Sequence, residues 1–179
     1  NECRRLSLGV VMAGGTGWPL GGPWVKEEDA LMRAVLKNGK IEGEPTKMKV
    51  KRAAPGGEGL VVDPYSSGAL KRYLRPFDSA FMKFPRGLVR AQFHDSFEYY
   101  DGSWTRNFEQ IFQEMHGYDI QQHAVELLAK TSNLSTENRE RIARIKSDFR
   151  ETLAKLHLEY LKTWVEWSHK HGFIVRNQS

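Results

Sequence analysis

Four side chains with acid–base or hydrogen-bonding chemistry stand close together in this chain: His94, Asp95, Ser96 and Glu98. They follow Val89-Arg90-Ala91-Gln92-Phe93, a run with the character of a buried strand, and they precede a helix-like pattern that opens at Ser103-Trp104. A strand that ends in ionisable groups and leads into a helix is how parallel α/β proteins deliver reactive side chains to the carboxyl edge of the sheet. A carboxyl group held there among aromatic residues such as Phe97, Tyr99 and Trp104 has its charged form disfavoured. Retaining a proton in this way is what protonating a glycosidic oxygen requires, which makes Glu98 a candidate general acid. The competing role for Glu98 is a salt bridge to Arg90 or Arg176.

Other chemistries fit these residues less well. His94 and Asp95 could orient one another, bind hydroxyls or ligate a metal, but no two histidines stand at i, i+4 and zinc spacing is missing. Calcium wants several oxygens, to which Asp63, Asp95 and Asp101 could contribute. A Ser96–His94 nucleophile is disfavoured, because both lie on one short segment and no Gly-x-Ser-x-Gly elbow is present.

A second cluster is the loop Gly14-Gly15-Thr16-Gly17-Trp18-Pro19-Leu20-Gly21-Gly22-Pro23-Trp24. Its five glycines and two prolines exclude helix and strand. Trp18 and Trp24 either plug the rim of the fold or offer flat apolar faces to a sugar. The glycines are not followed by Lys-Ser/Thr at phosphate-loop spacing.

The elements that must position these groups follow from periodicity. Strands are expected at 6–12, 59–62, 88–93 and 173–175. A short helix is expected over 27–36, with its acids in the first turn. Residues 37–58, rich in Lys, Gly and Pro, read as a hairpin or loop excursion. A helix capped by Ser66 or Ser67 carries Leu70, Tyr73, Leu74, Phe77 and Phe81 on one face, and Pro76 should kink or split it near Arg75. Another runs from Ser103 as N-cap through Trp104 and Phe108 to Gly117 as terminator. The longest begins at Ser135 or Thr136, steps through Ile142, Ile145, Phe149, Leu153, Leu156, Tyr160, Trp164 and Trp167, and closes at Lys170-His171-Gly172. Its seam would also suit an isolated coiled coil, but strand character resumes at Phe173.

Strands alternating with helices imply an α/β fold with a parallel sheet. The strand ends would gather Thr16 and Trp18, then Asp63, then His94 to Glu98, then Arg176 to Gln178 on one face. A complete (β/α)8 barrel takes about 250 residues and eight strands. The expectation for 1–179 is therefore a portion of such a TIM-type barrel.

Composition sets outer limits. The chain has 179 residues, enough for one domain, with 40% hydrophobic and 27% charged residues, ordinary for a core-forming protein. A formal charge of +5 is spread among acids without a like-charge run, so a solvated surface is favoured over nucleic-acid binding. Cys3 has no partner cysteine, and no apolar run approaches the ~18 residues of a membrane span. Asn133-Leu134-Ser135 and Asn177-Gln178-Ser179 fit the N-glycosylation pattern, a frequent chance match.

Gly-Thr-Gly-Trp-Pro-Leu-Gly-Gly-Pro-Trp at 15–24, the Asp63 strand end, His-Asp-Ser-Phe-Glu at 94–98, Trp104-Thr105, Gly117-Tyr118-Asp119 and His171-Gly172 through Arg176-x-Gln178 together resemble glycoside hydrolase family 106, the α-L-rhamnosidases. The matches run in order through nearly the whole chain, although Leu20 stands where that loop commonly carries an aromatic. The resemblance implies a (β/α)8 catalytic barrel in a large, multidomain bacterial enzyme, periplasmic or secreted, that removes terminal rhamnose from plant polysaccharides or glycosides with inversion and calcium assistance. Glu98 then matches the general acid, with Trp18, Trp24, Asp63, His94, Asp95, Trp104, Arg176 and Gln178 as substrate-binding candidates. An inverting partner carboxylate has no convincing match and is expected beyond Ser179, so these residues without the rest of the barrel and its accessory domains should be inactive. The alternative is a carbohydrate-binding barrel relic without catalysis.

Overall fold

The computed structural model describes residues 2–83, 87–128 and 135–178. In chain order the elements are α1 (Glu2–Arg5), β1 (Val10–Ala13), β2 (Gly21–Gly22), β3 (Met32–Lys37), β4 (Lys40–Pro45), β5 (Leu60–Val61), α2 (Ser67–Phe81), β6 (Val89–His94), α3 (Phe108–His116), α4 (Ala124–Leu128), α5 (Thr136–Lys170) and β7 (Ile174–Asn177). The fold is mixed α/β around a three-stranded parallel sheet of order β1-β6-β7. Asn133, Leu134 and Ser179, members of the two glycosylation triplets, lie outside the described residues. Among the described helices none is long and apolar enough to cross a membrane.

α5 organises the packing. Its 35 residues span ~52 Å at 1.5 Å per residue, and it reaches two separate cores. Near its start Ile145 and Phe149 pack with Phe108, Phe112, Ile120 and Trp104. Toward its end Tyr160 and Trp164 pack with Leu70, Tyr73, Leu74 and Val62. Those contacts replace the coiled-coil partner its seam could have sought. The Ser135 hydroxyl accepts from the Asn138 amide and caps the first turn. α2 is capped in the same way by Ser66 accepting from Ala69, and it runs through Pro76 without splitting.

Several sequence expectations are corrected. The strand expected over 6–12 is β1 from Val10 onward, with Ser7 at φ 55° in the turn after α1, and the glycine-rich loop at 14–24 contains the two-residue strand β2. The helix expected over 27–36 is a single 3-10 turn at Glu27–Asp29 followed by β3, which pairs antiparallel with β4. Asn38 and Gly39 both take positive φ (51° and 77°), so they form the tight turn whose twist suits a hairpin. The strand over 59–62 exists as β5, but it pairs antiparallel with β2 and stands outside the parallel sheet. Glycines on both sides permit that close approach: a Cβ on Gly21 would lie 2.3 Å from the Leu60 carbonyl oxygen. Ser103 does not cap α3; its hydroxyl accepts from the Ala34 amide at 3.0 Å, and the helix begins at Phe108.

Gly117 ends α3 in the left-handed conformation, its amide donating to Gln113. In the parallel sheet, one face carries Met12, Gln92 and Val175 toward the helices. The other carries Val11, Ala91 and Ile174, then Ala13, Phe93 and Arg176. Val11 and Ile174 on this second face are 50% and 54% exposed.

Candidate active site

Register brings three strand ends level. Phe93 pairs with Ala13 on one side and Arg176 on the other, and His94 pairs with Asn177. The Gln178 amide donates to the His94 carbonyl at 3.0 Å, so the last strand exits beside the stretch that bears Glu98. Past His94 the strand ends, the Glu98 amide donates to the Ser96 carbonyl at 2.9 Å in a tight turn, and Tyr99 turns into the core.

Glu98 is half-buried. One carboxylate oxygen accepts from the Ser96 hydroxyl at 3.4 Å and the other from the Tyr100 hydroxyl at 2.7 Å, so its partners are neither Arg90 nor Arg176. The bond to Glu98 raises the Tyr100 phenol pKa, because ionising that phenol would set two negative charges together. Lys51 Nζ lies over two rings, 4.4 Å from the centre of Trp18 and 4.5 Å from that of Tyr100. Its backbone pairs with Trp18 in both directions, at 3.0 and 2.7 Å. Trp18, Lys51, Tyr100 and Glu98 thus form one connected patch. Lys51 escaped the sequence reading because it sits in the 37–58 excursion, with no local signal for its distant partner. The close spacing Ser96-x-Glu98-x-Tyr100 was a signal that could have found Tyr100.

The aromatic neighbours expected around Glu98 are engaged elsewhere. Phe97 packs on Tyr99 and on the His157 ring at 4.7 Å, though it remains 48% exposed beside the patch. Trp104 is 4% exposed and stacks on Phe108 at 4.7 Å, in the core around α3, where no substrate can reach it. Trp24 stacks on Tyr73 at 5.2 Å and its Nε1 donates to the Tyr73 carbonyl, so α2 holds it rather than the Glu98 patch.

Asp63 is 4% exposed and lies at the end of β5. Its oxygens accept from the Tyr65 amide at 2.9 Å and the Thr105 hydroxyl at 2.6 Å. Burial raises its pKa to about 6 against the pull of those two bonds. His94 is also buried, edge-on to Tyr160 and Trp164, with Nδ1 3.1 Å from the Asp95 carbonyl oxygen. Burial lowers its pKa to about 4, so it stays neutral at physiological pH. The Asp95 carboxylate accepts from the Ser96 amide and does not orient His94. Arg176 is exposed, on the uncovered face of the sheet.

Calcium takes about six to eight oxygen ligands. Both Asp63 oxygens are committed, Asp95 caps the next amide, and Asp101 occupies an exposed turn at φ 60°. These residues do not by themselves assemble a calcium site.

The fold and this edge define a mixed α/β segment built on a three-stranded parallel sheet. In structure the chain is similar to a rhamnosidase from Novosphingobium sp. PP1Y, with a TM-score of 0.60 and 28% identity, covering 75% of this chain and 13% of that one. No family model matches the chain, and no curated protein matches its sequence.

Proposed function

We propose that this chain supplies the acid-bearing edge of an α-L-rhamnosidase barrel, with Glu98 as the general acid. The observation that carries the reading is the position of Glu98 at the carboxyl edge of a parallel sheet, beside Trp18, Phe97 and Tyr100. Such aromatic faces suit the C–H patches of a sugar. The likeness to a rhamnosidase over three-quarters of the chain supports it.

The (β/α)8 reading draws support from the sheet itself. β1 and β7 are both edge strands with no outer partner among the described residues, and one face leaves Val11 and Ile174 exposed. Parallel sheets are covered on both faces, so further strands and helices from the same enzyme would complete this one. Those strands would supply the water-activating carboxylate, roughly 6.5–9.5 Å from Glu98 in an inverting enzyme. The substrate would be a rhamnose-containing polysaccharide or glycoside. A calcium ion, if the enzyme uses one, would draw most of its oxygens from that remainder.

The test is Glu98→Gln in the full-length enzyme. Turnover on natural leaving groups should fall far more than on activated aryl glycosides, which need little protonation. Equal losses on both would remove Glu98 from the acid role. A second reading, sugar binding without catalysis, is favoured by one fact: Asp63, the carboxylate after β5, is buried with both oxygens bonded. Rhamnose binding by a full-length protein that hydrolyses none of these substrates would establish it.

A further inference from the structure

Away from the sheet edge, the end of α3 meets the middle of α5 through a group of side chains with no assigned role. His116, Asp148 and Glu151 each present one ligand atom, and these atoms lie within 4.8 Å of one another. Asp148 and Glu151 are three residues apart on α5 and therefore share a face, with Thr152 one turn after Asp148.

The hydrogen bonds fix how the imidazole is presented. The Thr152 hydroxyl donates to the Asp148 carbonyl at 2.9 Å, which uses its one proton. Its oxygen, 3.0 Å from His116 Nε2, must then accept from that nitrogen. In the neutral ring the lone pair is left on Nδ1, which lies 4.0 Å from Asp148 Oδ1. That separation is too long for a hydrogen bond and leaves a gap between the two atoms. The Tyr118 hydroxyl donates to the other Asp148 oxygen at 2.8 Å, holding the carboxylate in place. The His116 side chain is only 11% exposed, wedged against Phe112 and Tyr118, while Asp148 is open enough for water to reach.

We propose that His116, Asp148 and Glu151 bind a divalent transition-metal ion of the zinc class, pinning the end of α3 to α5. One imidazole nitrogen and two carboxylates suit zinc better than calcium or magnesium, which prefer oxygen alone. Zinc–ligand bonds of ~2.1 Å put tetrahedral ligands roughly 3.3 Å apart, so His116 and Asp148 need only draw together by under ~1 Å. Thr152 and Tyr118 already make the supporting bonds that orient a ligating histidine and carboxylate. The nearby guanidinium groups have carboxylate partners of their own: Arg141 pairs with Glu126 and Arg144 with Glu140. No spacing in the sequence announces the site, because its histidine comes from a different helix.

The experiment is calorimetric titration of the full-length protein with Zn²⁺, in a Cys3→Ser background that removes the thiol of this segment, together with thermal melts. Expected are one saturable equivalent and a zinc-dependent rise in melting temperature. Both should be lost in Asp148→Asn and strongly reduced in Glu151→Gln, an exposed change that leaves the fold intact. Tyr118→Phe should weaken binding by roughly 10–100-fold. Absence of saturable binding overturns the proposal. So does zinc binding that Glu151→Gln and Asp148→Asn leave unchanged, since the ion then sits on other histidines.

Discussion

Replacing Asp63 by Asn should stabilise this protein, and only at the higher end of the pH range. Burial raises the Asp63 pKa from its ordinary 3.8 to about 6. Between those values the folded chain holds a proton that the unfolded chain has released, so the Asp63 contribution to stability falls as pH rises through the window and then levels off. One proton over about two pH units, at ~1.4 kcal/mol per unit, amounts to ~3 kcal/mol by pH 7. Asn has the same shape without the charge. Its carbonyl can accept from the Tyr65 amide and its NH₂ can donate to the Thr105 hydroxyl, so both existing bonds have replacements. The variant should match the wild type near pH 4 and exceed it by ~1–3 kcal/mol at pH 7.

His94 sharpens the test. Its pKa is lowered from 6.5 to about 4, so the unfolded chain binds the extra proton and stability falls as pH drops through nearly the same window. In the wild type the two slopes oppose one another. Removing the Asp63 carboxyl leaves the His94 slope exposed, and the variant should lose stability more steeply than the wild type between about pH 6 and pH 4. Urea unfolding followed by tryptophan fluorescence at four pH values measures both effects. A difference between variant and wild type that does not change with pH would refute the reasoning.

Two further outcomes follow from close contacts. A Cβ on Gly43 would lie 2.3 Å from the Trp104 indole, so Gly43→Ala should cost ~1–3 kcal/mol in urea unfolding, partly recovered when Trp104 is also replaced by Phe. On the proposed acid role of Glu98, Tyr100→Phe in the full-length protein removes one of the two hydroxyls that hold Glu98; kcat should fall with KM little changed, and a change confined to KM would instead make Tyr100 a substrate contact.

Features that depend on neighbours a few residues away could be read in advance. The apolar seam from Ile142 to Trp164, the Ser66 and Ser135 caps, the left-handed Gly117 and the strand leading to His94 all express local backbone and side-chain preferences. Asn38-Gly39 was a legible hairpin signal as well, obscured because the acids at Glu27–Asp29 suggested the first turn of a helix. Trp104 shows the limit in the other direction. An indole next to a polar turn reads equally as ligand platform or as core, and only Phe108, Phe149 and Gly43 closing around it decide for the core.

The sequence by itself determined that one strand delivers Glu98 and its polar neighbours, that helices separate it from the last strand, and where the long helix starts and stops. The alternation of strand and helix expected before Ser66 gave way to five successive strands, β1 to β5. Tertiary structure alone decided which strands pair. It set β5 against β2 rather than in the parallel sheet, put Lys51 over Trp18 and Tyr100, and brought His116 to Asp148. The physical reason is range: periodicity and capping act over a few residues, whereas strand pairing and side-chain clusters join segments whose separation along the chain carries no imprint of the contact.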